Sequence, residues 1–228
     1  MNIIKMSFDD KKIERRKHME TREVLILTKS AKHGQYCVAG IDMQTKQWIR
    51  LVSGNELTKY ALSREMVLYS NHRECQILDI ARVSIIEDEP LEIQRENVLI
   101  DENEYFEYQG RCTVRYLENY LNNDLFVFGG TSSYINRERA LALGYSLRMY
   151  KVKNPILSEQ ENKNGELRRK LSFEYKNRLY SNWSMTDYQY YRAPLGKLAD
   201  EAIIIVSIPE EEYKDTGNYY KFVAQIFV

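Results

Sequence analysis

Between Val24 and Val52 the chain reads V-L-I-L-T-K-S, a Lys-His-Gly corner, Q-Y-C-V-A-G-I-D-M, a polar reversal and Q-W-I-R-L-V. Three apolar, β-branched runs of strand length, broken by Gly34 and by Gln44-Thr45-Lys46, predict a β-meander rather than a helix. Side chains alternate along a strand, so Cys37, Ala39, Ile41 and Met43 fall on one face, and Tyr36, Val38, Gly40 and Asp42 on the other. In the third run Ile49 and Leu51 share a face, leaving Trp48 and Arg50 together opposite. With the wholly apolar faces turned into a core, the outer surface carries Tyr36, Gly40, Trp48 and Arg50. Such an aromatic and cationic platform suits a flat, anionic, π-rich ligand, of which a nucleotide base with its phosphate is the common example. A structural alternative stays open: Trp48 as a core tryptophan, and Arg50 paired with a carboxylate such as Asp42.

The rest of the chain is again strand-rich. Strands are predicted over 75–86, 145–152, 167–175, 179–183 and 202–208, the third and fourth forming a hairpin around Lys176-Asn177. The closing run Y-Y-K-F-V-A-Q-I-F-V sets Tyr220, Phe222, Ala224, Ile226 and Val228 on an apolar face, with Lys221 and Gln225 opposite. Helix-compatible stretches cover 54–66, 113–121 and 136–143, and Gly144 ends the last as a helix C-terminal glycine does. Two clusters of about five strands, each with a helical insertion, fit two small Greek-key barrels in tandem. The fold class is therefore mainly β with short helices (α+β). The divisions are an N-terminal tail or arm over 1–22, a first barrel over 23–128 and a second over 129–228.

Composition narrows the function. The formal net charge is zero across 228 residues, whereas proteins that bind nucleic acid chiefly by neutralising phosphates carry a basic excess. Binding of that kind must come from a local patch with stacking. The 18 tyrosines serve sheets, interfaces and stacking surfaces alike. Three scattered cysteines and three histidines argue against a structural zinc site or a disulfide framework and fit a reducing cytoplasm. No run is long and apolar enough to span a bilayer.

T-K-S-A-K-H-G-Q-Y-C-V-A-G-I-D followed by W-I-R resembles the opening of the dual-OB domain family, bacterial proteins associated with defence and conflict systems. I-Q-R-E-N-V-L-I-D, L-S-F-E-Y-K-N-R-L-Y-S-N-W-S-M-T-D and Y-K-F-V-A-Q-I extend the resemblance over most of the chain from Val24 onward. Where the family pattern has prolines after W-I-R and after Thr-Asp, this chain has Leu51 and Tyr188. The resemblance implies two OB-type barrels and a role in binding nucleic acid or recognising a nucleotide, with no catalytic set to carry over.

OB barrels bind oligonucleotides with a sheet face and the adjoining loops. On that basis Lys29, Lys32 and His33, on the loop leading into the second run, join Tyr36, Trp48 and Arg50 as candidate ligand-binding residues. A second candidate surface is T-D-Y-Q-Y-Y-R, where Tyr188, Tyr190, Tyr191 and Arg192 read equally as a stacking patch or a protein interface. Glu174-Tyr175-Lys176 has the spacing of half a metal-dependent nuclease motif, and a solvated hairpin explains it more simply. Phe128-Gly129-Gly130 lacks the lysine of a P-loop and reads as a boundary turn. The expectation is a non-enzymatic module without cofactor or metal that binds single-stranded nucleic acid or a nucleotide-like ligand. An adaptor docking a protein partner from a defence complex is the alternative, and a metal-dependent nuclease the weaker third.

Overall fold

A computed structural model describes residues 20–228 apart from His33, Lys163 and Asp215, and for Ala31 and Lys32 the backbone only. Candidate residue His33 and the Lys32 side chain thus lie outside the described residues. So does the expected N-terminal arm, except that Glu20, Thr21 and Arg22 open the first strand.

Strands β1 (Glu20–Lys32), β2 (Gln35–Asp42), β3 (Trp48–Val52), β4 (Asp79–Asp88) and β5 (Asn97–Ile100) close into a five-stranded barrel in the order β1-β2-β3-β5-β4-β1, with β6 (Glu107–Arg111) added beside β4. All pairs are antiparallel except β3 with β5. Closure needs β1 to serve two neighbours, and a bulge between Ile26 and Thr28 bends it to do so. Gly40 makes the tight fit possible: a Cβ there would lie 1.9 Å from the Leu25 carbonyl oxygen.

The second half repeats the scheme. Strands β8 (Leu147–Glu161), β9 (Leu167–Tyr175), β10 (Arg178–Met185), β12 (Glu201–Ser207) and β14 (Phe222–Phe227) close in the order β8-β9-β10-β14-β12-β8, and β10 with β14 is again parallel. Short β11 (Gly196–Lys197) edges β8, while β7 (Tyr134–Asn136) pairs with β13 (Asn218–Tyr220). Helix α1 (Arg137–Leu143) follows β7, capped by the Asn136 side chain and ended by Gly144 at φ 68°. Val127 and Phe128, and Ile93 from the β4–β5 loop, pack in the core of the second barrel. The helices expected over 54–66 and 113–121 are short 3-10 turns instead, at Glu56–Thr58, Glu65–Val67 and Val114–Tyr120.

Each barrel has its own core, and a third apolar cluster lies between them. On β1, Val24 and Ile26 point into the first barrel while Leu25 and Leu27 point at the second. On β12, Ile204 and Val206 point inward while Ile203 and Ile205 point at the first barrel. This double burial explains why both strands read as unbroken apolar runs. Each aliphatic side chain sealed between the barrels contributes about 1.5–3 kcal/mol by burial, so the two modules behave as one packed body. Among the described residues no helix is long and apolar enough to cross a membrane.

Candidate functional site at the barrel junction

The platform expected on β2 and β3 is corrected by the sheet register. Ala39 lies opposite Arg50 and Ile41 opposite Trp48, so Trp48 and Arg50 share a face with the apolar set, and that face meets the second barrel instead of water. Tyr36 and Gly40 are on the other side, with Val38, which lies in the first barrel's core. Trp48 is half-buried against the inter-barrel cluster.

Arg50 is only 3% exposed and bonded in several directions. Its Nη2 lies 3.1 Å from Glu96 Oε1 and reaches across to Ser146 Oγ at 2.8 Å and Ser207 Oγ at 3.3 Å, while Nη1 lies 3.0 Å from Cys37 Sγ. Glu96 itself accepts from the Ser146 hydroxyl. The guanidinium is therefore the polar clamp of the junction, and its carboxylate is Glu96 on the β4–β5 loop, not Asp42. Asp42 instead accepts the backbone N–H groups of Gln44 and Thr45 and shapes the β2–β3 turn.

Of the other candidate residues, Lys29 and Tyr36 meet. Lys29 on β1 donates to Glu74 at 3.1 Å and stands 5.0 Å from the Tyr36 ring centroid. Arg64 takes the other Glu74 oxygen. Burial, then Glu74, then the phenol of Tyr188 hold the Tyr36 hydroxyl above its ordinary pKa, and Thr186, where the tyrosine loop begins, lines one cleft with Cys37, the neighbour of Tyr36 on β2. In that loop Tyr188 and Tyr191 are exposed and meet edge to face at 5.3 Å, while Tyr190 packs partly into the second core.

Asp187 holds the loop down: its carboxylate accepts the backbone N–H of Gln189 at 2.9 Å and of Ile226 at 2.9 Å, and the Gln225 amide at 2.8 Å. Burial outweighs these bonds and pushes its pKa up to about 6. Behind the loop, Arg169 donates to the Tyr191 carbonyl, and Lys170 bonds Ser184 Oγ at 2.8 Å. Carboxylates answer only part of this charge. Glu74 is shared by Lys29 and Arg64, Arg168 pairs with Glu166 and Arg169 with Glu159. Among the described residues neither Lys170 nor exposed Arg192 has an ion pair. A neutral chain thus carries a locally basic, tyrosine-bearing rim across both barrels.

Below this rim the barrels enclose a half-open cleft of about 370 Å³. The first barrel lines it with Ser30, Cys37, Arg50, Tyr60 and Gln94, and the second with Thr186, Ser207, Glu210, Phe222 and Ala224. Lys59 and Glu211 join across its mouth. Of these residues the sequence points to Arg50 and to Thr186, which opens the tyrosine-rich surface. The others lie on β1, β2, β12 and β14 and in the loops following β3, β4 and β12, and the place of such loops beside an OB barrel's ligand face is the signal that could have found them.

The remaining motifs have structural partners. Glu174 accepts from Asn154 at 3.2 Å and Lys176 donates to the Asn123 carbonyl at 2.9 Å. No group of three or more metal-ligating side chains occurs among the described residues. The Gly129-Gly130 turn directs carbonyls, not N–H groups, at a cation: Lys221 Nζ lies 3.3 Å from Val127 O and 3.1 Å from Gly130 O. Lys221, expected opposite the apolar face of the last strand, is 1% exposed.

No curated protein and no solved structure matches the chain. The sequence model of the dual OB-containing domain matches residues 22–226, a span that takes in every strand of both closed barrels except the first two and last residues. Two barrels of identical strand order, each with its parallel pair in the same place, complete the case that the chain belongs to the dual OB-containing domain family.

Proposed function

We propose that the chain is a non-catalytic module that binds single-stranded nucleic acid across the rim joining its two barrels, in the setting of a bacterial defence system in the cytoplasm. The observation that carries this reading is the exposed, edge-to-face pair of Tyr188 and Tyr191, with cations around it and around Tyr36 that outnumber their carboxylate partners. Bases stack on tyrosine whatever their sequence, and the flanking Lys and Arg track the phosphates. Exposed Leu195, close in sequence to Tyr191, favours a second reading in which the same loop docks a protein partner.

Fluorescence anisotropy with short labelled strands of DNA and RNA separates the two. The Tyr188→Ala, Tyr191→Ala double variant is expected to weaken binding by about 1–3 kcal/mol per lost stack, roughly 5- to 150-fold each. Lys170→Ala with Arg192→Ala is expected to flatten the salt dependence. Affinity that ignores both changes would sink the rim reading, and co-purification of a protein partner without any oligonucleotide binding would replace it with the adaptor.

A further inference from the structure

The inter-barrel cleft differs in chemistry from the rim above it. Its one buried cation, Arg50, is taken up by Glu96, Cys37, Ser146 and Ser207, and at the mouth Lys59 is joined to Glu211. Glu210 has no ion pair among the described residues. Its Oε2 accepts the Gln94 backbone N–H at 3.2 Å, and a carboxylate keeps further lone pairs for a ligand.

Two largely buried side chains also bring hydrogen-bonding capacity to the cleft. Gln94 is 4% exposed and spends its amide N–H on the Ile208 carbonyl at 3.1 Å, leaving Oε1 with no hydrogen bond among the described residues. Ser30 is 8% exposed, and its hydroxyl likewise has none. Both groups line the cleft, where an occupant can supply the hydrogen bond that the described residues do not. Gln94 Oε1 and Glu210 are acceptors, and the occupant must bring N–H donors. The rings of Tyr60 and Phe222 add flat apolar surface, and the volume lies at the small end of ligand pockets, too small for an oligomer.

We propose that this cleft is a second binding site, separate from the rim, that takes an uncharged nucleoside or nucleobase through its N–H edge and rejects the phosphorylated form. A phosphate monoester carries about −1.5 to −2 charges at neutral pH. In the cleft it meets Glu210 and Glu211 and finds its two cations already engaged. Guanine is the natural first probe, because its adjacent N1–H and N2–H groups present two donors to one carboxylate.

Isothermal titration of the full chain with the four ribonucleosides and their 5′-monophosphates tests the assignment. At least one nucleoside, guanosine first, is expected to bind about tenfold or more tightly than its own monophosphate, the size of effect expected from one unfavourable charge contact. Glu210→Gln keeps the acceptor for Gln94 and removes the charge, so it is expected to shrink that preference severalfold. Ala224→Trp fills the cleft and is expected to abolish nucleoside binding. Should that variant fail to fold, Gln94→Leu serves, with an expected loss of about tenfold. No nucleoside binding up to millimolar concentration, a monophosphate bound as tightly as its nucleoside, or a preference unchanged by Glu210→Gln overturns the proposal. Oligonucleotide anisotropy reads the rim and nucleoside titration reads the cleft, so either can fail alone.

Discussion

In the first barrel the deepest charge is the carboxylate of Asp79; in the second it is the ammonium of Lys221. Asp79 is sealed from solvent but surrounded by donors: Arg111 at 2.8 Å, the Tyr69 hydroxyl at 2.9 Å and the Gln76 N–H at 3.0 Å, with Arg73 3.5 Å away. Arg73 is itself held 4.8 Å from the Tyr69 ring centroid and 4.9 Å from that of Tyr108. Lys221 has two carbonyls and the face of Trp183 at 5.0 Å, and no carboxylate among the described residues. Dipoles and a ring recover less than ionic partners do, so burial, aided by Arg139, lowers the Lys221 pKa to about 7. Two barrels of one topology thus tolerate a buried charge by different means, one by pairing it and the other by easing its loss of a proton. Between them Arg50 follows the first strategy at the junction.

The comparison is sharpened first at that junction. Arg50→Ala leaves Glu96 buried without its cation and is expected to cost about 3–5 kcal/mol, measured by urea unfolding. A loss below about 1 kcal/mol, the worth of an exposed pair, would mean that the clamp does not hold the barrels. Next, Asp79→Ala removes charge-assisted hydrogen bonds and is expected to cost about 1.5–3 kcal/mol, with little change in slope between pH 7 and 10. An equal slope change in this variant and at Lys221 would erase the distinction between the barrels.

The smallest effect at neutral pH belongs to Lys221→Met, which is expected to be neutral or mildly stabilising because an apolar chain of similar length fills the same space. Its signature is pH dependence. Between about pH 7 and the ordinary lysine value the unfolded chain binds more protons than the native one, so wild-type stability rises with pH across that window. Below about 7 both states are charged and the cost of burial is felt in full. The Met variant is expected to lose this rise; a wild type and variant with parallel stability profiles would show that Lys221 keeps its proton.

Much of the fold was legible where local chemistry decides it. Lys176 and Asn177 at φ 48° and 58° make the tight turn of the β9–β10 hairpin, and Asn136 and Gly144 bracket α1 as their types suggest. The start of β4 was misplaced because Leu78 sits at φ 73° and breaks the run that its apolar sequence suggests. Alternation separated the two faces of β2 and β3 correctly but could not say which enclosed the barrel, since in a tandem fold both are covered. Lys221, which alternation sets opposite the apolar face of the last run, is buried as well. In the candidate site, Lys29, Tyr36 and the tyrosine loop each carried a local signal. Their meeting, and the cleft lined by Gln94, Glu210 and Phe222, depend on contacts between residues more than a hundred positions apart.

Leu25 and Leu27 share a strand with Val24 and Ile26, so the wall that joins the modules is also the wall that encloses one of them. Severing the polypeptide between the halves would therefore bare a slab of leucine, isoleucine and methionine on each fragment. Separately expressed halves should clump in solution, yet find one another when made together.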